Sequence, residues 1–219
     1  YEEAKKLKLA QCVASGEKRH YTTIPARSSW TFDPNSSYFY YTPNETINGL
    51  YCPRPAIPSN MPMVADMTSC LLAEPIQVEE YDLIFAAAQK NIANAGLTLV
   101  IVRDELVKKI NNNTIPTTFD FRTHIEHRSL YTTPPVFNCY LANKMFSWIA
   151  ECGGIETLYK VNQRKAMKLY QFIDESSFYT CAIEKQYRSF LNVCFKLPDL
   201  SLEELFIEKA KENNLLAKI

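Results

Sequence analysis

Apolar residues in this chain come in short runs divided by polar turns, and the runs follow two periods. Pro62–Asp66, Asp82–Phe85 and Leu97–Arg103 are brief and rich in Val, Ile, Leu and Ala. Each predicts a strand, and the last has the composition of one buried on both faces. Aromatic Ser37–Tyr41 predicts another strand, which runs into the turn Thr42-Pro43-Asn44-Glu45-Thr46. The helical period predicts helices from Tyr1 to about Leu9, at Asp104–Asn111, at Phe137–Glu151 before Gly153-Gly154, and at Ile155–Ile173. In the last of these, Ile155, Leu158, Tyr159, Leu169, Tyr170 and Ile173 recur at helical spacing. Arg188–Leu197 alternates, with Leu191, Val193 and Phe195 to one side, and predicts a strand. Leu202–Leu216 predicts a helix opened by the capping box Ser201-x-x-Glu204. Residues 19–34, proline-rich Cys52–Pro62 and Asn112–Thr118 read as irregular.

Strands alternating with helices indicate an α/β architecture with a mostly parallel sheet. The best internal boundary is the long helix near residues 155–173, after which a second unit begins. No repeat or low-complexity segment is present.

The chain has 219 residues, of which 47% are hydrophobic, enough for one large domain or two small ones with a sizeable core. Its 24 basic and 24 acidic residues cancel. That balance argues against a nucleic-acid partner and against an anionic membrane surface. The apolar runs reach about six residues, far short of the ~20 that cross a bilayer, and no signal peptide is read. Seven cysteines at irregular spacing, without a CxxC, point to free core thiols in a reducing compartment. The N-x-S/T triplets at Asn35, Asn44 and Asn112 read as chance matches in such a compartment. Both ends read as cut inside or just beyond helices.

The chemistry centres on Asp66 and on Ala88-Gln89-Lys90. A carboxylate closing one buried strand and a lysine just past the next form an arrangement that many enzymes use to hold pyridoxal phosphate. The acid pairs with the pyridine nitrogen and the lysine bonds the aldehyde. A buried carboxylate without a partner costs several kcal/mol, so Asp66 either has such a partner or caps the next segment through Thr68 and Ser69. Lys90 is either the reactive amine or a solvated loop lysine. Small Ala86, Ala87 and Ala88 before it permit close approach. Gln89 can donate to a phosphate. Thr46 can reach a cofactor oxygen or serve only its turn. Tyr131-Thr132-Thr133-Pro134-Pro135 can present hydroxyls and amides to a phosphate, or be a plain loop. His124-x-x-His127 has no third ligand at suitable spacing and no helical pattern, so no metal is expected. Trp30 and Trp148 read as packing residues, and Arg188 as a salt-bridge partner.

Seven stretches together resemble the phosphoserine aminotransferases of the class V, fold-type I group. They are Pro43–Gly49, Ala65–Ser69, Ala88–Ile92, Ala95–Arg103, Tyr131–Pro135, Gly153-Gly154, and Arg188-Ser189 with Asn192-Val193. They span essentially the whole chain, in the family's order. The resemblance implies a fold-type I transferase. Residues 1–155 would be the later part of the pyridoxal-phosphate-binding large domain. Residues 156–219 would be the connecting helix and first part of a smaller α+β domain.

By the same resemblance Lys90 and Asp66 are catalytic, and Thr46, Asp66, Gln89 and Lys90 bind pyridoxal 5'-phosphate. Thr132 and Thr133 would reach the cofactor phosphate of a neighbouring subunit, with Thr132 where the family carries asparagine. The implied partners are a second copy of the chain, sharing the active site, and the small molecules glutamate, phosphoserine and 3-phosphohydroxypyruvate. The implied setting is cytoplasmic serine biosynthesis, with pyridoxine biosynthesis as a second pathway. Another class V enzyme, or a non-catalytic fragment serving only subunit contact, is the alternative. The family's ring-stacking aromatic residue, remaining phosphate loop and substrate arginine would precede Tyr1, and its Gly-His-Arg segment would follow Ile219. The 219 residues are therefore expected to be the middle of a longer enzyme, binding cofactor weakly and turning over nothing alone.

Overall fold

The computed structural model describes residues 1–110 and 114–215. In chain order, α1 is Glu2–Lys6, β1 Phe39–Tyr41, β2 Asn44–Glu45, β3 Leu50–Tyr51, β4 Met63–Asp66, β5 Leu83–Ala87 and β6 Thr98–Val102. Then come α2 Asp104–Lys108, α3 Phe121–Glu126, α4 Val136–Glu151, α5 Gly154–Glu175 and α6 Glu203–Glu212. The main sheet has the order β1-β4-β5-β6, and β2 pairs with β3 as a small hairpin.

β1, β4 and β5 run parallel, with Tyr41 beside Ala65 and Asp66 beside Phe85. Met63, Ala65, Ile84 and Ala86 point to one face and are fully buried, as period-2 alternation requires. Phe39, Tyr41, Met67 and Ala88 complete that core. Asp82 ties the strand starts together. Its carboxylate accepts the Met63 N–H at 2.8 Å and the Arg103 Nε–H at 3.1 Å.

β6 is antiparallel to β5, and its residues are exposed or half-buried. It is therefore not the doubly buried strand that its composition predicts. The reason is the link before it. Ala88 N–H bonds Leu97 O at 2.9 Å, closing a loop shorter than the crossover of about a dozen residues that a parallel return needs.

Arg188–Leu197 is not a strand and makes only isolated bridges, Leu50 with Arg188 and Thr180 with Lys196. Its alternation has another origin. Leu191 packs on the sheet core, Val193 on a second cluster around Ala166, Tyr170 and Ile173, and the Phe195 ring on Tyr179 and Phe206. The predicted capping box at Ser201 is also absent. Asp199 accepts the Ser201 N–H instead, and α6 begins at Glu203; its predicted end at Leu216 lies outside the described residues, as do Asn111 and Asn112.

His124 lies on a helix after all, because Asp120 caps α3 by accepting the Arg122 N–H. The two histidines are taken up locally, His124 by Thr118 O at 2.9 Å and His127 by Thr123 O at 3.0 Å. Trp30 packs, stacked on Phe39. Trp148 does not, being 51% exposed on α4.

Candidate active site

Three parallel strands end on one edge of the sheet, the edge where α/β folds hold ligands. Each delivers one of the candidate residues. β1 leaves through Thr42-Pro43 into the β2–β3 hairpin, which carries Thr46. β4 closes on Asp66. β5 continues through Ala88 to Gln89 and Lys90.

Asp66 is half-buried. One carboxylate oxygen accepts the Thr68 N–H at 3.0 Å, so the residue does cap the next segment. The other lies 3.5 Å from the Tyr40 hydroxyl, whose ring stacks on Phe85. Burial raises the Tyr40 hydroxyl above the usual tyrosine range; a hydrogen bond with Thr42 opposes this and the Asp66 carboxylate adds to it. The segment after Asp66 is stitched to β5. Met67 N–H donates to Phe85 O at 2.8 Å, and Ala87 N–H donates to Thr68 Oγ1 at 3.1 Å. The exit of Asp66 and the approach to Lys90 are thus held side by side.

Lys90 is exposed at its turn, and its Nζ donates to Thr46 Oγ1 at 3.0 Å. The two residues line a cavity of about 500 Å³ whose far wall is α5. Asp66 is not part of that lining. Gln89 is exposed beside Lys90, and Thr132 and Thr133 are exposed in the loop before α4, outside the cavity lining.

A buried polar network holds the Thr46 hairpin. Asn44 is 2% exposed and Ser189 wholly buried. Asn44 Nδ2 donates to Ser69 Oγ at 3.1 Å and to Asn192 Oδ1 at 2.9 Å, while Ser189 Oγ donates to Asn44 Oδ1 at 2.5 Å. Asn192 Nδ2 then donates to Thr46 O at 3.1 Å. Gly49 turns the hairpin at φ +73°, and a Cβ there would crowd Asn192 O and Cys194 Sγ, both at 3.1 Å. Every buried side-chain polar atom of the described residues has a hydrogen-bond partner, as an interior network must.

The family model of the class-V aminotransferases matches residues 3–212. The chain belongs to the class-V aminotransferase family. A phosphoserine aminotransferase of Legionella pneumophila is 52% identical over 217 residues, 99% of this chain and 60% of that relative. The chain thus spans about 60% of the length of the curated relatives it matches. Among solved structures, the PLP-bound phosphoserine aminotransferase of Trichomonas vaginalis superposes with a TM-score of 0.91 at 34% identity, over 99% of this chain and 62% of that one. The enzyme from Bacillus circulans subsp. alkalophilus gives 0.91 at 34%, over 97% and 59%.

For this class-V chain the sheet brings Thr46, Asp66, Gln89 and Lys90 to one edge, and leaves Thr132 and Thr133 elsewhere on its surface. Sequence reasoning missed the positioning roles of Asn44, Ser69, Ser189 and Asn192. No period in the sequence marks these four, since Asn44 lies between buried Pro43 and exposed Glu45. Arg188 forms the expected salt bridge, its two terminal nitrogens meeting the Asp174 carboxylate at 3.0 and 2.8 Å. All seven cysteines are unpaired, and burial pushes the Cys52 thiol up to about 11 and Cys70 to about 12. Those two thiols stay protonated at neutral pH and are poor nucleophiles.

Proposed function

We propose that this chain carries the reactive lysine of a pyridoxal-phosphate-dependent phosphoserine aminotransferase. The reaction exchanges an amino group between glutamate and 3-phosphohydroxypyruvate, giving phosphoserine and 2-oxoglutarate. One observation carries the reading: the Lys90 amine meets Thr46 at 3.0 Å on the sheet edge where Asp66 closes the adjacent parallel strand. The 52% identity to the Legionella enzyme supports the substrate pair.

The donor set fits the cofactor. A primary amine suits an aldehyde. A half-buried carboxylate with one oxygen only loosely engaged, 3.5 Å from Tyr40, suits a protonated ring nitrogen. Exposed Gln89 suits a phosphate oxygen. When bound, pyridoxal phosphate supplies an aldehyde for the migrating amino group and an aromatic ring that takes up electrons from the substrate Cα.

The chain's own residues do the rest. Lys90 Nζ would hold the cofactor through its aldehyde and, as the free amine, would take the substrate Cα proton. Asp66 keeps the proton on the ring nitrogen. Thr46 Oγ1 holds Nζ in place. Thr132 and Thr133 serve the cofactor phosphate of a second copy, so the complete site belongs to a homodimer. The setting is cytoplasmic serine biosynthesis; no helix among the described residues is long and apolar enough to cross a membrane. Residues 1–155 hold the cofactor, and 156–219 open a second domain around the Ala166, Tyr170 and Ile173 cluster.

Borohydride reduction with cofactor present, followed by peptide mapping, tests the reading. The label is expected on Lys90. Label on a different lysine, or none, overturns the assignment. For the substrate pair, the holoenzyme is expected to prefer the phosphorylated oxo acid. Equal turnover of an unphosphorylated one overturns the pair and leaves Lys90 standing.

A further inference from the structure

Asp66 and Lys90 leave the sheet from neighbouring strands, and one residue is bonded to both exits. In a parallel pair the hydrogen bonds recur evenly along the strands. Met67 N–H donates to Phe85 O at 2.8 Å, so the next bond of the ladder would run from Ala87 N–H to Met67 O. That carbonyl is already taken. It accepts the N–H groups of Cys70 at 3.0 Å and Leu71 at 2.8 Å, where the chain turns out of the sheet. Thr68 Oγ1 stands in for it and accepts the Ala87 N–H at 3.1 Å. The Thr68 N–H meanwhile donates to Asp66 Oδ1 at 3.0 Å. Thr68 thus orients the carboxylate through its backbone and carries the ladder onward through its hydroxyl. Only Ala88 and Gln89 separate Ala87 from Lys90.

We propose that Thr68 is a positioning residue, which sets the separation between the Asp66 carboxylate and the Lys90 amine so that one flat ring can be held at both ends. This rests on the cofactor reading of those two residues. Once Asp66 holds the ring nitrogen, bonding at Lys90 is intramolecular, and its gain depends on where the aldehyde falls. Lys90 Nζ condenses with that aldehyde, and one water leaves. The far side of the Lys90 turn is held independently, by Asn91 Nδ2 donating to Leu71 O at 2.7 Å. Without the Thr68 acceptor the turn therefore stays attached at Asn91 and loses its aim at Ala87.

The test compares two ligands on the full chain. Pyridoxal 5'-phosphate engages both grips. Pyridoxine 5'-phosphate has an alcohol in place of the aldehyde and engages all but Lys90. The ratio of their dissociation constants reads the gain from Lys90 alone, and a residue that only stabilises the fold does not move it. Both constants are measured by protein fluorescence quenching on the parent and on Thr68→Val, Thr68→Ala and Thr68→Ser, with borohydride labelling of Lys90 counted alongside. A misplacement on the order of 1 Å costs up to ~100-fold in such a gain. The expected result is a preference for the aldehyde reduced ~10-fold in Thr68→Val and Thr68→Ala, with affinity for pyridoxine 5'-phosphate within ~2-fold of the parent. Thr68→Ser keeps the hydroxyl and is expected to restore the preference.

An unchanged preference in a folded Thr68→Val overturns the proposal and leaves Thr68 a stabilising residue only. Thr68→Ala decides the matter in the same way where Thr68→Val fails to fold. A loss as large in Thr68→Ser also overturns it, because the hydroxyl is then not what aims the lysine. If the parent binds the two ligands equally and Lys90 takes no label, the cofactor reading fails and the proposal with it. A parent that prefers the aldehyde, with variants that prefer it as strongly, sinks the proposal alone.

Discussion

Asn44 donates its side-chain amide to Asn192 Oδ1 at 2.9 Å, joining positions 148 residues apart. This bond closes the network behind Thr46. Asn192 in turn grips the Thr46 carbonyl, and Ser189 Oγ both donates to Asn44 and accepts the Leu191 N–H at 3.0 Å. The hydroxyl that meets Lys90 is therefore set from behind by a satisfied polar core.

Ser189→Ala and Asn44→Ala each strand buried polar groups that water cannot reach. Each is expected to cost about 1–3 kcal/mol of stability, read as a lower midpoint in urea. The two losses together should be smaller than their sum, because the residues share one network. Additive losses would mean that the two act separately.

The way this network escaped the sequence is instructive. Periodicity reports which residues share a face of one element, so Met63, Ala65 and Asp66 were legible as a strand ending in a carboxylate, and Lys90 as the residue past the next. It carries no signal for side chains that meet across distant segments. Asn44 therefore reads as the start of a glycosylation triplet, although at 2% exposure it has no room for a glycan. Leu191, Val193 and Phe195 mislead for a related reason. Their alternation comes from three separate packing partners, not from a ladder.

On the proposed reading, Asp66→Asn would remove the charge that holds a proton on the ring nitrogen, while keeping the Oδ1 acceptor for the Thr68 N–H. Holoenzyme turnover is expected to fall by at least ~100-fold, on the scale of losing one acid–base group. Borohydride labelling of Lys90 is expected to persist. Thr46→Ala should act on the other side, weakening cofactor retention by ~5–10-fold with the loss of about one hydrogen bond, whereas Thr46→Ser retains it. Full turnover in Asp66→Asn would remove that residue from the mechanism.

Glu74 accepts the Tyr51 hydroxyl at 3.0 Å, pinning the β2–β3 hairpin to the segment after Asp66. Burial raises the Glu74 carboxyl above its usual range, and the Tyr51 bond partly offsets this. A raised carboxyl favours the folded state at pH below the unfolded value of about 4.3, and that contribution is lost as pH rises through the folded value. At pH 7–8 the ionised group is a burden. Glu74→Gln keeps an oxygen for Tyr51 and cannot ionise. It should be more stable than the parent at pH 8, by less than ~1 kcal/mol because solvent screens a half-buried group, and the gap should close below about pH 4. Thermal melts at pH 8 and 4 would show it; a gap independent of pH would not fit.

Asp174 has the opposite sign. Hydrogen bonds from Arg188, then Lys185, hold its carboxyl down to about 2. A lowered carboxyl stabilises the fold above its unfolded value near 3.9, and the contribution disappears as pH falls toward about 2. The pair matters beyond its charge. Arg188 is only 9% exposed, lies over the Tyr170 ring at 4.8 Å and immediately precedes Ser189. Protonating Asp174 thus loosens the junction that delivers Ser189 and Asn192 to the Thr46 hairpin. Acid titration of the parent should reveal a transition between pH ~4 and ~2. In Asp174→Asn that step should vanish, at a cost of ~1 kcal/mol at neutral pH. If the transition survives in the variant, another carboxylate governs it and the junction is held mainly by packing of Arg188 on Tyr170.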